Sequence, residues 1–272
     1  MKKLILIIIV LSVRILNAQE LFVFTEPASN MATGSAGVRL NNSFMKDIYT
    51  HKINYHLIPE LMFGVSKKLM IHTDAFLSTR SDNKLILEGG SVYAKYRYFS
   101  IDDVHSHFRM AAFGRYSFNS SDIHQESIDL NAHNSGYEVG TILTKLLNKV
   151  AVSGSVSFLH ALDNGNNNEY FYGNKQRDAV NYTLSFGKLL LPKEYTNYKQ
   201  LNLNAMVELL GQTNIGSGKG YLDIAPSLQV IINSVARIDV GGRIQLSSKL
   251  YRTAPEGFFV RLEYNFFNLF KK

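Results

Sequence analysis

Apolar and polar residues alternate one by one along most of the chain. In the stretch GSVYAKYRYFS, Val92, Ala94, Tyr96 and Tyr98 interleave with Ser91, Tyr93, Lys95, Arg97 and Phe99. A period of two is the signature of an extended strand, whose successive side chains point to opposite faces. Counting such runs predicts twelve strands, near residues 34–42, 53–65, 69–78, 90–100, 107–118, 136–146, 150–160, 180–190, 201–210, 221–231, 235–246 and 257–266. Pro59 sits inside the second run and weakens it, because proline donates nothing to a ladder.

The connections alternate as well. Ser66-Lys67-Lys68, Leu147-Asn148-Lys149 and Ile232-Asn233-Ser234 are short, whereas Asn119–Ser135, Ala161–Ala179, Gly211–Gly220 and Ser247–Glu256 are longer and more polar. An exported soluble sandwich, with the apolar face as its core, accounts for the period of two equally well. Strand length, aromatic placement and the second face favour a barrel in lipid. The runs approach the ~9–11 residues that cross a bilayer at a tilt. Aromatics gather at the ends of the apolar faces, as Phe108 against Tyr116 and Phe118 and Phe258 against Tyr264 and Phe266, where interfacial girdles lie. The opposite faces carry many Gly, Ser, Ala and Asn, as a crowded tube interior requires. In lipid every backbone group needs an internal partner, and a closed barrel supplies one without edges. The expected architecture is therefore all-β: a closed antiparallel transmembrane β-barrel of about twelve strands over residues 34–270, with short periplasmic turns and longer extracellular loops.

Ahead of the barrel, Lys2 and Lys3 precede the apolar run Leu4–Val13, and small Ala18 follows. This is the pattern of a secretory signal peptide over residues 1–18, leaving residues 19–33 as an N-terminal periplasmic segment. Its removal lowers the formal charge from +7 to +4, and no dense Lys/Arg cluster remains, so nucleic acid is not an expected partner. The chain has no cysteine, which excludes disulfides, thiolate metal sites and a lipid anchor through an N-terminal cysteine.

With its export signal, its dyad repeat and the aromatic final strand VRLEYNFFNLF, the chain resembles small bacterial outer-membrane β-barrel proteins of the porin-like or transporter type. The segment TEPASNMATGSAGVRL is similar to the start of members of this group. The resemblance implies a Gram-negative outer-membrane location, contact with outer-membrane lipids, and a final strand read by the barrel-assembly machinery. The terminal aromatic is Phe266 or Phe270, and Lys271-Lys272 follow it, a departure from the usual ending. No functional residue carries over from the family.

The inward faces place Arg39, Lys95, Arg97, Arg109, Arg115, Arg237, Arg243 and Arg261 in the lumen. Glu60, Asp74, Glu138, Glu208, Asp223, Asp239 and Glu263 join them, with His56 and His72 on neighbouring strands. Near-balanced charge fits an internal ion-pair lattice that stiffens the tube, and equally a narrow aqueous path whose charges select small solutes or ions. His105 and His107, near Asp102 and Asp103, have the i, i+2 spacing of two metal ligands on a strand, although a polar turn accounts for them more simply. Asp163–Glu169 has a calcium-like composition without the EF-hand order. No nucleophile elbow or phosphate loop is present, so neither catalysis nor a cofactor is expected. The expected function is a porin-like channel or transporter for small solutes or ions. The alternatives are a non-conducting barrel whose loops Asn119–Ser135 and Ala161–Ala179 bind a partner, and an outer-membrane lipid hydrolase.

Overall fold

The computed structural model describes residues 22–80, 84–103, 106–170, 172–173, 176–192 and 200–270. The expected signal peptide lies outside the described residues. Twelve strands follow one another: β1 (Ala36–Lys46), β2 (Ile53–Gly64), β3 (Leu69–Ser78), β4 (Ile86–Asp102), β5 (Ser106–Asn119), β6 (Gly136–Leu147), β7 (Val150–Ala161), β8 (Asp178–Leu191), β9 (Asn202–Asn214), β10 (Gly220–Ile232), β11 (Ala236–Ser248) and β12 (Glu256–Phe266). Each pairs antiparallel with its sequence neighbours, and β12 pairs with β1 to close the barrel. Closure removes the sandwich alternative. Among the described residues no helix is long and apolar enough to cross a membrane.

The alternation sorts side chains inside out relative to a water-soluble protein. Along β12, Phe258, Leu262, Tyr264 and Phe266 stand exposed, while Phe259, Arg261, Glu263 and Asn265 are buried. Outward aromatics stack near both rims, as Phe44 on Phe258 with ring centroids 4.5 Å apart, and Tyr264 beside Phe266 at 4.8 Å. Phe266 ends the last strand, and the backbone N–H of Phe270 donates to the Gly34 carbonyl.

Local departures from the regular ladder have chemical causes. Pro59 faces outward opposite Leu40, and the β2–β3 pairing is interrupted between Leu57 and Glu60 with its register unchanged, as the missing N–H requires. Pro226 interrupts β10–β11 in the same way. A bulge between Arg97 and Phe99 shifts the β4–β5 register by one residue, so Phe99 pairs with Met110 on the outward face instead of following Arg97 inward. In the tight turns Asn148 and Asn233 take positive φ (54° and 53°), which asparagine tolerates better than most residues.

Two non-strand segments occupy the barrel. From Phe22 onward, the stretch expected in the periplasm runs inside the lumen at the turn end. The connection 120–135 also departs from the expected outward loop. It folds over the opening at the loop end, where Gln212 exchanges two hydrogen bonds with the Ile128 backbone (2.9 and 2.8 Å) and Ser117 Oγ donates to the Leu130 carbonyl at 2.6 Å.

Candidate functional site

Register sets the lumen chemistry. Arg39 on β1 stands opposite Glu60 on β2 and Glu263 on β12, and Arg237 and Asp239 on β11 stand opposite Glu263 and Arg261. Directly opposed residues of opposite charge reach each other with little rearrangement. Arg39 Nε donates to Glu263 at 2.8 Å and its Nη1 to Glu60 at 3.0 Å. Arg237 meets Glu263 at 2.7 Å and Asp239 at 3.2 Å, and Arg261 meets Asp239 at 2.7 Å. His72 Nδ1 contacts Glu60 as well. The result is a continuous belt of charges in which each ion has a counterion, the condition under which burial is tolerable.

Lys95 and Glu208 have no such partner on the strands. Lys95 faces Met70 and Phe113, and Glu208 faces Ser185 and Ala225. Both are fully buried, and both are satisfied by the N-terminal segment. Glu208 accepts the backbone N–H groups of Val23, Phe24 and Thr25 at 2.8, 3.0 and 2.8 Å. Lys95 Nζ donates to the carbonyls of Pro27 and Ser29 at 2.5 and 2.8 Å and lies 3.5 Å from Glu26. Arg261 donates to the Phe22 and Val23 carbonyls, Arg109 to Ser29 Oγ, and Thr144 Oγ1 accepts from Ala28 N–H. Small lumen residues make room for the segment: Ala28 packs on Ala111, and Phe22 on Ala151. At Gly64 a Cβ would sit 2.1 Å from the Ala32 carbonyl oxygen, so only glycine admits the segment there.

Above this plug the lumen keeps space. One cavity of about 260 Å³ is bounded by Val23–Glu26 and lined by residues of the belt together with Asp74, Tyr93, Arg115 and Glu138. A second, of about 240 Å³, adjoins it toward the loop end and shares Phe24, Ser43, Asn131 and Glu138 with it. The second is lined by His56, Arg80, His124 and His133, and by Arg252, which clamps Asp223 through two 2.8 Å bonds while Arg243 meets the same carboxylate at 2.7 Å.

No protein-family model matches the chain, and no curated protein sequence matches it. Among solved structures it is similar to an outer membrane channel from Pseudomonas putida F1, at 10% identity and a TM-score of 0.56, over 90% of this chain and 99% of that one. The fold is that of an outer-membrane β-barrel. Outer membrane phospholipase A from Escherichia coli aligns less well, at 13% identity and a TM-score of 0.43, over 86% of this chain and 91% of that one. At these identities the likeness is one of fold.

Within the barrel, the side chains read inward from the sequence lie as follows. Arg39, His56, Glu60, His72, Lys95, Arg109, Glu208, Asp223, Arg237, Asp239, Arg261 and Glu263 are buried. Asp74, Arg115, Glu138 and Arg243 are partly exposed to the cavities, and Arg97 reaches the turn rim, where it donates to the Lys67 carbonyl. His56 and His72 do not meet: His56 pairs across the ladder with Ser78, and its ring packs on His133 at 5.1 Å. His105 lies outside the described residues; His107 is buried opposite Asp102, whose carboxylate Arg109 takes. In the Asp163–Glu169 stretch, Asp163 accepts from Tyr170 N–H and Arg177, and Asn164 bridges to Ser121, His133 and Ser135, so these side chains tie the loops together. The sequence reading missed the plug, the infolded loop and Arg252. Only the unmatched Lys95 and Glu208 signal the first, and only once the ladder register is known.

Proposed function

We propose that the protein is a Gram-negative outer-membrane channel for small polar solutes, closed at its turn end by residues 22–33 of its own chain. The observation that carries this reading is the way the lumen is filled. The strands leave a polar, charge-balanced bore, and the obstruction at its turn end is a separate segment held largely by hydrogen bonds and ion pairs. Such contacts exchange readily for water, whereas a tube filled by packed strand side chains has no comparable route to opening. The adjoining cavities continue the bore from the infolded loop 120–135 down to the plug. In this reading the signal peptide exports the chain, the assembly machinery recognises its last strand, and lipid wets the outward apolar face. The turn end then faces the periplasm. The path is passive and includes no catalytic step.

Planar-bilayer recording tests it. Wild-type protein is expected to open rarely, and a variant lacking residues 22–31 to conduct steadily in discrete steps. If both fold, as heat-modifiable gel mobility reports, and neither conducts, the channel reading is lost.

A further inference from the structure

The cavity next to the plug has a wall with more hydrogen-bonding capacity than it satisfies. Arg115 Nη1 donates to Asp74 Oδ2 at 3.0 Å and to Ser91 Oγ at 2.9 Å, and Ser91 Oγ donates to the same Asp74 oxygen at 2.6 Å. Beside this triad, His72 Nε2, Asp74 Oδ1, Tyr93 OH and Arg115 Nε are buried without a hydrogen-bond partner among the described residues. All four residues line the one cavity. Buried polar atoms are nearly always satisfied, so four in one wall mark a place that something else completes. These atoms have almost no exposed surface, so an occupant of the cavity meets them only if Arg115 or Tyr93 shifts toward it.

Charge, shape and size narrow the occupant. The ions of the wall are matched internally: Arg115 lies between Asp74 and Glu138 (3.9 Å), and Arg39 between Glu60 and Glu26. An ionic solute would give up its hydration without gaining an unmatched counterion. A neutral solute with several hydroxyls uses donors and acceptors together. The ring of Phe113, 5.5 Å from that of buried Tyr93, adds an apolar surface beside the polar groups, matching the C–H face of a sugar ring. At about 260 Å³ the cavity exceeds the ~150 Å³ that accommodates benzene in an engineered protein, so a hydroxylated six-membered ring fits.

We infer that this cavity is a binding station for a small neutral polyhydroxylated solute of monosaccharide size, recognised by Asp74, Tyr93 and Arg115. The inference rests on reading the lumen as a solute path and narrows what the path takes.

Calorimetric titration of the detergent-folded full-length protein tests it, with D-glucose, ethanolamine and inorganic phosphate as separate probes. Glucose is expected to bind saturably, and Tyr93→Phe and Asp74→Asn each to weaken it about tenfold, while both variants keep heat-modifiable mobility. Absence of saturable glucose binding, tighter binding of phosphate or ethanolamine, or indifference of glucose binding to Tyr93→Phe overturns the station. The bilayer experiment is independent. Glucose binding without conductance in the deletion variant would remove the channel and leave the station, and conductance without glucose binding would do the reverse.

Discussion

Lys95 and Glu208 carry the closure at the residue scale. Each is buried with no opposite charge across either ladder, and each finds its partner on residues 22–29. Three backbone N–H groups converging on one carboxylate form a small anion nest, and charge-assisted bonds of this kind are roughly twice as strong as neutral ones. Glu208→Gln keeps the size and removes the charge. It is expected to favour plug release by about 2 kcal/mol, roughly thirtyfold, seen as faster proteolysis of residues 22–33 with the barrel intact. Unchanged proteolysis would show that Glu208 does not hold the segment. Arg39 plays a different part. It is the common partner of Glu60, Glu263 and Glu26, so Arg39→Met strands buried carboxylates and is expected to cost about 3–5 kcal/mol of barrel stability. A lowered urea midpoint in detergent measures this, and an unchanged midpoint would contradict it. The inward direction of these residues is legible from alternation alone. The partners of Lys95 and Glu208 are not, because residues 22–33 have no periodicity to tie them to any strand.

At the scale of elements, alternation located the strands because each has one face chemically unlike the other. It failed where one residue breaks the count: the bulge near Tyr98 turns Phe99 outward, and no local composition announces it. Loop 120–135 was equally opaque, since its polar residues suit water as well as a polar bore. Its seating depends on uncharged histidines. Burial, with the Arg80 guanidinium nearby, pushes His124 down from 6.5 to about 4. Burial, reinforced by His124, His56 and Arg80, holds His133 well below its ordinary range. The undocked loop therefore binds more protons below about pH 6.5, so docking is at full strength above that pH and weakens as pH falls toward about 4. Discounted for the partial exposure of His124, its undocked fraction should rise on the order of tenfold between pH 7.5 and 5. A spin label on Gln125→Cys should gain mobility over that range, and a spectrum independent of pH would show that the histidines do not control the loop.

For the whole molecule, one inversion organises everything: apolar side chains outside, ions inside. It was readable from sequence because a strand of nine or more residues with charges on one face and aromatics at both ends of the other suits a bilayer-spanning barrel better than the short strands typical of soluble sheets. What the pattern left open was whether the bore is filled, since packing of non-strand segments depends on three-dimensional fit. The central claim is that the N-terminal segment is a displaceable plug in a conducting bore. Thr25 and Thr183 touch through their hydroxyls at 2.8 Å, close enough for a disulfide after Thr25→Cys and Thr183→Cys with small adjustment, and the chain has no other cysteine to interfere. The most direct measurement is single-channel conductance of this double variant, oxidised and then reduced in the same bilayer. Silence when oxidised and openings after reduction are predicted; equal conductance in the two states, or silence in both, would contradict the account.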